Sequence, residues 1–195
     1  MAKLFFRYGP MNSGKSTALL QVAHNYHERD QAVLVIKPDT DKKGGNRVVS
    51  RLGVARAVDI LLAPSDSLLT RVQHHRESAA RAIACLLIDE AQFLSPGQVD
   101  EALSLAVFHD LPVIAYGLRT DFLTQAFPGS GRLLEVAHEL EELKTICRCG
   151  KKAMFNARIG TEGIIRQGEQ VAIDGLAAHY EALCAACYFA PTLPS

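Results

Sequence analysis

Apolar positions along this chain come in short continuous runs rather than in alternation with polar ones. Ala32 to Ile36 (AVLVI), Ala82 to Ile88 (AIACLLI) and Pro112 to Tyr116 (PVIAY) are apolar throughout. A strand with one wet face alternates in polarity, so an unbroken run belongs to a strand covered on both faces. Lys3 to Tyr8 (KLFFRY) reads as a further short strand. Between these runs the period changes to that of a helix. Thr17 to Arg29 has apolar residues at Ala18, Leu19, Val22, Ala23 and Tyr26, and Ser67 to Arg81 and Gly97 to His109 are helix-like, the latter after the start signal Ser95-Pro96. Alternating strands and helices predict an α/β fold with a mostly parallel sheet flanked by helices. A further helix is expected near Arg132 to Leu143, and the polar, Gly-rich Asp39 to Asn46 reads as a loop. From Cys147 onward the chain breaks into short pieces rich in Gly, Cys and turns, which predicts a main domain over 1–146 and a small one over 147–195. Ala190 to Ser195 reads as a frayed tail. Phe5, Phe6 and Phe108 are expected in the core, with Cys85 as a small buried hydrophobe.

Composition narrows the partners. The 195 residues suffice for one domain, or for one with an appendage, and for a sizeable core. Lys plus Arg and Asp plus Glu both number 21, so nothing in the net charge favours a polyanion, and nucleic acid is not expected as a partner. No apolar run approaches the ~20 residues of a membrane span, and a glycine-rich loop occupies the region where a cleavable signal would lie. A cytoplasmic location away from membranes is therefore expected. In such a reducing compartment, the cluster of four among the five cysteines points to metal rather than to disulfides.

The first chemical signature sits between the first strand and the first helix. Gly9-Pro10-Met11-Asn12-Ser13-Gly14-Lys15-Ser16 is a complete G-x-x-x-x-G-K-[ST] phosphate loop. Its backbone N–H groups would converge on the phosphates of a nucleoside triphosphate at a helix N-terminus, with Lys15 reaching β and γ oxygens and Ser16 holding magnesium. The second is Leu86-Leu87-Ile88-Asp89-Glu90, an apolar strand ending in two carboxylates. In a sheet of this kind Asp89 can hold the magnesium that accompanies ATP, while Glu90 can take the proton of an attacking hydroxyl or water. The third pairs Cys147-Arg148-Cys149-Gly150 with Cys184-Ala185-Ala186-Cys187. Four thiolates complete a tetrahedral zinc site with no ligand position to spare, which is a structural site, and Gly150 lets the chain turn after the tight C-x-C pair. Such a site would close residues 150–183 into a loop with fixed ends. The seven histidines form no ligand spacing with these groups.

Taken in order, these motifs resemble the type II thymidine kinases over essentially the whole chain. Asp89-Glu90-Ala91-Gln92-Phe93 matches that family's D-E-x-Q-F box, Tyr116 to Phe122 (YGLRTDF) its Y-G-L-x-x-x-F segment, and Tyr180 with Cys184 its Y-x-x-x-C. The resemblance implies transfer of the ATP γ-phosphate to the 5′-hydroxyl of thymidine, with Glu90 as catalytic base. Gly9 to Ser16 and Asp89 would handle ATP and its magnesium ion. It places Met11, Gln92, Phe93, Leu118, Phe122 and Phe127 around the nucleoside, where a flat base buries between apolar side chains. A lasso carrying Val171, Ile173 and Gly175, with Tyr180 nearby, would read the base edge through backbone groups. It further implies structural zinc on Cys147, Cys149, Cys184 and Cys187, a homotetramer, and feedback inhibition by thymidine triphosphate. Two positions depart from the family. Asp174 stands where many members have glycine, and Asn156 stands near the base where a small hydroxyl is frequent; either would alter base preference. Arg47 and Arg158 are candidates for steadying phosphates. Two other classes stay open on the residues alone: a phosphate-loop ATPase or switch in which Glu90 activates water, and a zinc-ribbon module for nucleic acid around Arg148, Lys151, Lys152 and Arg158.

Overall fold

The computed structural model describes residues 1–40, 45–161, 163–168, 170 and 178–190. The main body runs β1 (Leu4–Tyr8), α1 (Lys15–His27), β2 (Ala32–Pro38), β3 (Arg47–Val49), β4 (Ala55–Ala57), β5 (Ile60–Leu62), α2 (Leu68–Ser78), β6 (Ile83–Ile88), a 3-10 turn (Ala91–Phe93), α3 (Pro96–Phe108), β7 (Val113–Gly117), α4 (Pro128–Val136) and β8 (Glu139–Glu142). The remainder comprises β9 (Thr145–Ile146), β10 (Lys152–Ala153), β11 (Phe155–Gly160), β12 (Gly163–Ile164), β13 (His179–Leu183) and α5 (Ala185–Phe189).

Six strands form one sheet in the order β5-β2-β6-β7-β1-β8, every neighbouring pair parallel. The unbroken apolar runs have the cause the sequence suggested. Side chains two apart share a face, so Leu34, Ile36, Leu86 and Ile88 join Leu4 and Phe6 in a core with Leu68 and Val72 of α2, and with Val99, Ala102 and Leu105 of α3. The alternate residues Val33, Val35, Cys85 and Leu87 pack with Leu19, Leu20 and Ala23 of α1 on the other face. Parallel pairing brings the C-terminal ends of β1, β2, β6 and β7 to one edge, where ligands of such sheets bind. A capping box starts α3: Ser95 Oγ accepts from Gln98 N at 3.2 Å, and Gln98 Oε1 accepts from Ser95 N at 3.0 Å.

Three sequence readings need correction. The helix expected near Arg132 to Leu143 stops at Val136, and Ala137 turns to extended backbone (ψ 138°). Glu139 to Glu142 then form an edge strand beside β1. Their Glu-Leu composition favours helix, but Lys3 meets Glu139 and Arg7 meets Glu141, each at 2.6 Å, so pairing with a basic neighbour overrides local propensity. Phe108 is not in the core, since the last turn of α3 leaves it 80% exposed. The hairpin β3–β4 and the strand β5 were not anticipated, because three-residue strands carry too little period to read.

Residues beyond β8 pack around their own small core, built from Ala153, Ala157, Ile159, Ala182, Leu183 and Tyr188 with Cys147, Cys184 and Cys187. Strands β12, β11 and β13 form an antiparallel sheet in that order.

Candidate active site

The phosphate loop occupies the turn from β1 into α1. Asn12 (φ 67°) and Gly14 (φ 81°) take left-handed backbone, and no side chain caps α1, so its first N–H groups face the loop interior. Gly9 is obligatory for a different reason: a Cβ there would lie 2.4 Å from Leu143 O and 2.5 Å from Ser13 Oγ. Lys15 Nζ donates to Gly9 O at 3.1 Å and to Pro10 O at 2.8 Å, which holds the ammonium over the loop. Ser13 Oγ is buried there with no hydrogen-bond partner among the described residues, the kind of orphaned polar atom that suits a loop shaped for phosphate.

Strand β6 delivers the two carboxylates. Asp89 N donates to Ile36 O at 2.9 Å, which keeps Asp89 in the sheet, 4% exposed. Burial, and secondarily the charge of Glu90, push its carboxyl up to about 7, against the pull of the Glu90 amide and of Lys37 and Lys15. A divalent cation reverses that logic by favouring the ionised carboxylate, so the buried acid fits a magnesium ligand beside Ser16. Glu90 has left-handed backbone (φ 49°, ψ 39°), an uncommon state for a residue with a Cβ, and it turns the chain sharply out of β6. Gln92, 1% exposed, then locks it: Gln92 Nε2 donates to Glu90 Oε2 at 2.6 Å, and Gln92 Oε1 accepts from Leu118 N at 3.1 Å.

A cleft of about 950 Å³ opens at this edge. Met11, Asn12, Gly14, Lys15, Ser16, Asp89, Glu90 and Leu118 all line it, as does Arg47. Gly9 and Pro10 instead border a small neighbouring cavity with Asn156. The expected aromatic lining lies apart from the cleft walls in two groups. Phe93 and Phe127 meet edge to face at 5.6 Å, with Phe127 at the start of α4. Phe122 and Tyr180 meet at 6.3 Å, and the Arg158 guanidinium sits 5.7 Å over the Phe122 ring. Arg158 therefore packs with the aromatic group, whereas Arg47 lines the cleft. Val171, Ile173 and Gly175, and the departure at Asp174, fall outside the described residues.

Lys37 escaped the sequence reading. It lines the cleft, only 2% exposed, and donates to Gly45 O at 3.4 Å. The signal was available: a lysine closing an otherwise apolar central strand must end at the sheet's ligand edge. Ser50, Arg51 and Leu52 of the hairpin also line the cleft and carried no comparable signal.

The four cysteines converge. Their sulfurs lie within 4.8 Å of one another, and Cys149 and Cys184 Sγ are 3.6 Å apart. Zinc–sulfur bonds of ~2.3 Å in a tetrahedron require sulfurs ~3.8 Å apart, so the set fits zinc. Gly150 (φ 81°) makes the turn after the C-x-C pair, its N–H donating to Cys147 O at 2.8 Å. The Cys187 amide donating to Cys184 Sγ brings that thiol down to about 7, while burial among the other sulfurs pushes Cys187 up to about 12. Four crowded thiols cannot all ionise without a cation among them. Among the described residues this is the one group of His, Cys, Asp or Glu arranged to hold a metal.

The family model described as thymidine kinase matches residues 2–188. A thymidine kinase of Idiomarina loihiensis is 49% identical over 178 residues, covering 90% of this chain and 90% of that one. Those of Rhodopirellula baltica and Chromobacterium violaceum are each 45% identical, covering 94% and 96% of this chain and 86% and 98% of theirs.

Proposed function

The chain belongs to the thymidine kinase family, and we propose that the cleft at the C-terminal edge of its sheet is where ATP and thymidine meet. The protein is an ATP-dependent thymidine kinase, forming thymidine monophosphate and ADP. The convergence of Lys15, Asp89 and Glu90 on one cleft carries the assignment of residues. The 5′-oxygen of thymidine bonds to the γ-phosphorus, the bond from that phosphorus to the β,γ-bridging oxygen breaks, and ADP leaves with the electron pair. Glu90 accepts the 5′-hydroxyl proton. Its strained backbone and the bond from Gln92 fix the carboxylate before substrate arrives, so little reorganisation is needed during the reaction. The loop from Gly9 to Ser16 and the N-terminus of α1 bind the phosphates. Ser16 and Asp89 would hold magnesium, which would neutralise charge on the phosphates when bound.

Met11, Gln92, Phe93, Leu118, Phe122, Phe127 and Tyr180, with Val171, Ile173 and Gly175, form the nucleoside side. Residues 147–195 act as a lasso domain, closed over the nucleoside from its base by zinc on Cys147, Cys149, Cys184 and Cys187, beside the kinase domain of 1–146. Among the described residues no disulfide joins the five cysteines, which suits a reducing cytoplasm. Among the described residues no helix is long and apolar enough to cross a membrane. Thymidine triphosphate is the natural feedback inhibitor, since its base and phosphates would fill both halves of the site, and the working form is a homotetramer. An ATPase without a nucleoside acceptor is not favoured, and no nucleic-acid partner is needed.

The test is ADP formation from ATP and magnesium, with and without thymidine, across a panel of deoxynucleosides. Thymidine-dependent ADP matched by thymidine monophosphate is the expected result. ADP released at the same rate without nucleoside would overturn it.

A further inference from the structure

Asn156 is 3% exposed and sits on β11, one of the four strands described between the cysteine pairs. In the sheet it lies opposite Ala182, two positions before Cys184, so the cysteine cluster secures the base from which its side chain reaches out. Both ends of the amide are committed. Asn156 Oδ1 accepts from Met11 N in the phosphate loop at 2.6 Å, and Nδ2 donates to Thr120 O beyond β7 at 3.1 Å. A backbone N–H can only donate and a carbonyl can only accept, so these two partners fix which way the amide points. An amide held in this way has its pose set by backbone on both sides before a base arrives.

We propose that Asn156 is a positioning residue that sets the distance between the two substrates: it ties the phosphate loop to the segment 118–122 and holds both against the cysteine-bound module. The inference rests on the reading of the cleft as the ATP and thymidine site. Other contacts from the module reach the 118–122 segment, Ala126, whose carbonyl accepts from Gln170 Nε2 at 3.4 Å, and Glu142, which pairs with Lys152. Tyr188 Oη donates to Phe122 O at 2.5 Å, and Arg158 stacks on the Phe122 ring. Asn156 adds the phosphate loop to that set, through the residue whose side chain lines the cleft beside Lys15. Next to that bond, Gly9 O and Pro10 O accept from Lys15 Nζ, so slack at Met11 reaches the phosphate-binding ammonium within two residues.

The prediction is a loss of alignment without loss of either binding step. Displacement of reacting groups by ~1 Å costs up to ~100-fold in rate. Asn156→Leu keeps the volume and removes both hydrogen bonds. Asn156→Asp keeps the acceptor for Met11 and sets a second oxygen against Thr120 O. Wild type and both variants are compared for zinc content, for dissociation constants of magnesium ADP and of thymidine measured separately, and for kcat of thymidine monophosphate formation. Expected are a kcat lower by ~100-fold for Leu and ~10-fold for Asp, with zinc retained and each dissociation constant within ~3-fold of wild type. A kcat within 2-fold of wild type in the Leu variant overturns the inference. So does a loss carried by thymidine affinity alone, which would make Asn156 a base contact. If the Leu variant loses zinc and unfolds, the Asp variant decides: wild-type turnover there overturns the inference. Wild-type protein that forms no thymidine monophosphate overturns the kinase reading itself, a result separate from all of these.

Discussion

Gly129→Ala should destabilise this protein and slow it, although the residue lies in α4 and touches no expected substrate. In an ordinary helix, Ala is favoured over Gly by ~1 kcal/mol, so propensity alone predicts stabilisation. Here a Cβ at Gly129 would lie 2.6 Å from Ala91 O, 2.6 Å from Leu94 O and 2.9 Å from Gln92 O. An ordinary carbon–oxygen approach is ~3.3 Å, so α4 or the 3-10 turn must give by ~0.7 Å against three backbone carbonyls at once. Overpacking of that kind costs ~1–3 kcal/mol, and at ~2–4 °C per kcal/mol for a chain of this size Tm should fall by ~2–12 °C. The turn begins at Glu90 and contains Gln92, so the same displacement moves the proposed base, and kcat should fall by ~10-fold or more. Thermal unfolding and steady-state turnover with thymidine test both halves. A Tm equal to or above wild type would refute the steric argument, and a lowered Tm with unchanged kcat would refute the claim that this turn positions Glu90.

Glu90→Gln preserves shape and should retain binding of ATP and thymidine while kcat falls by ~10²–10⁴-fold; near-normal turnover would remove Glu90 from the mechanism. Cys184→Ser should bring zinc content well below one per chain and weaken thymidine binding, and a fully active variant without zinc would defeat the structural role of the site. Lys37→Met removes a buried cation that favours ionised Asp89, so the apparent affinity for magnesium ATP should fall by ~10-fold while thymidine affinity holds, as separate titrations would show.

The sheet was legible because burial on both faces leaves an unbroken apolar run, and period 2 then divides that run between two cores. Leu34 and Ile36 face one core, and Val33 and Val35 the other. The same reasoning failed at β8, where the deciding partners, Lys3 and Arg7, lie more than a hundred residues away in sequence. Local composition cannot report a pairing made by a distant strand. Phe108 failed for a related reason: helical spacing assigns a residue to a face, but α3 ends there, and no described residue beyond it supplies a cover.

The candidate site divides along the same line. Motifs of contiguous residues were readable because their geometry is local: a loop of glycines before a helix start, two carboxylates at a strand end, two cysteines around a turn. What holds those groups in register is not local. Gln92 bridges Glu90 and Leu118 through a single amide, across 26 residues on one side. Asn156 joins Met11 to Thr120 from 145 residues away on one side and 36 on the other. From sequence, the amide at 156 was a departure near the base that could be assigned only to recognition. With both of its ends oriented by backbone, the amide has its pose set by the fold, and its effect on thymidine is expected to come through where it holds the loop.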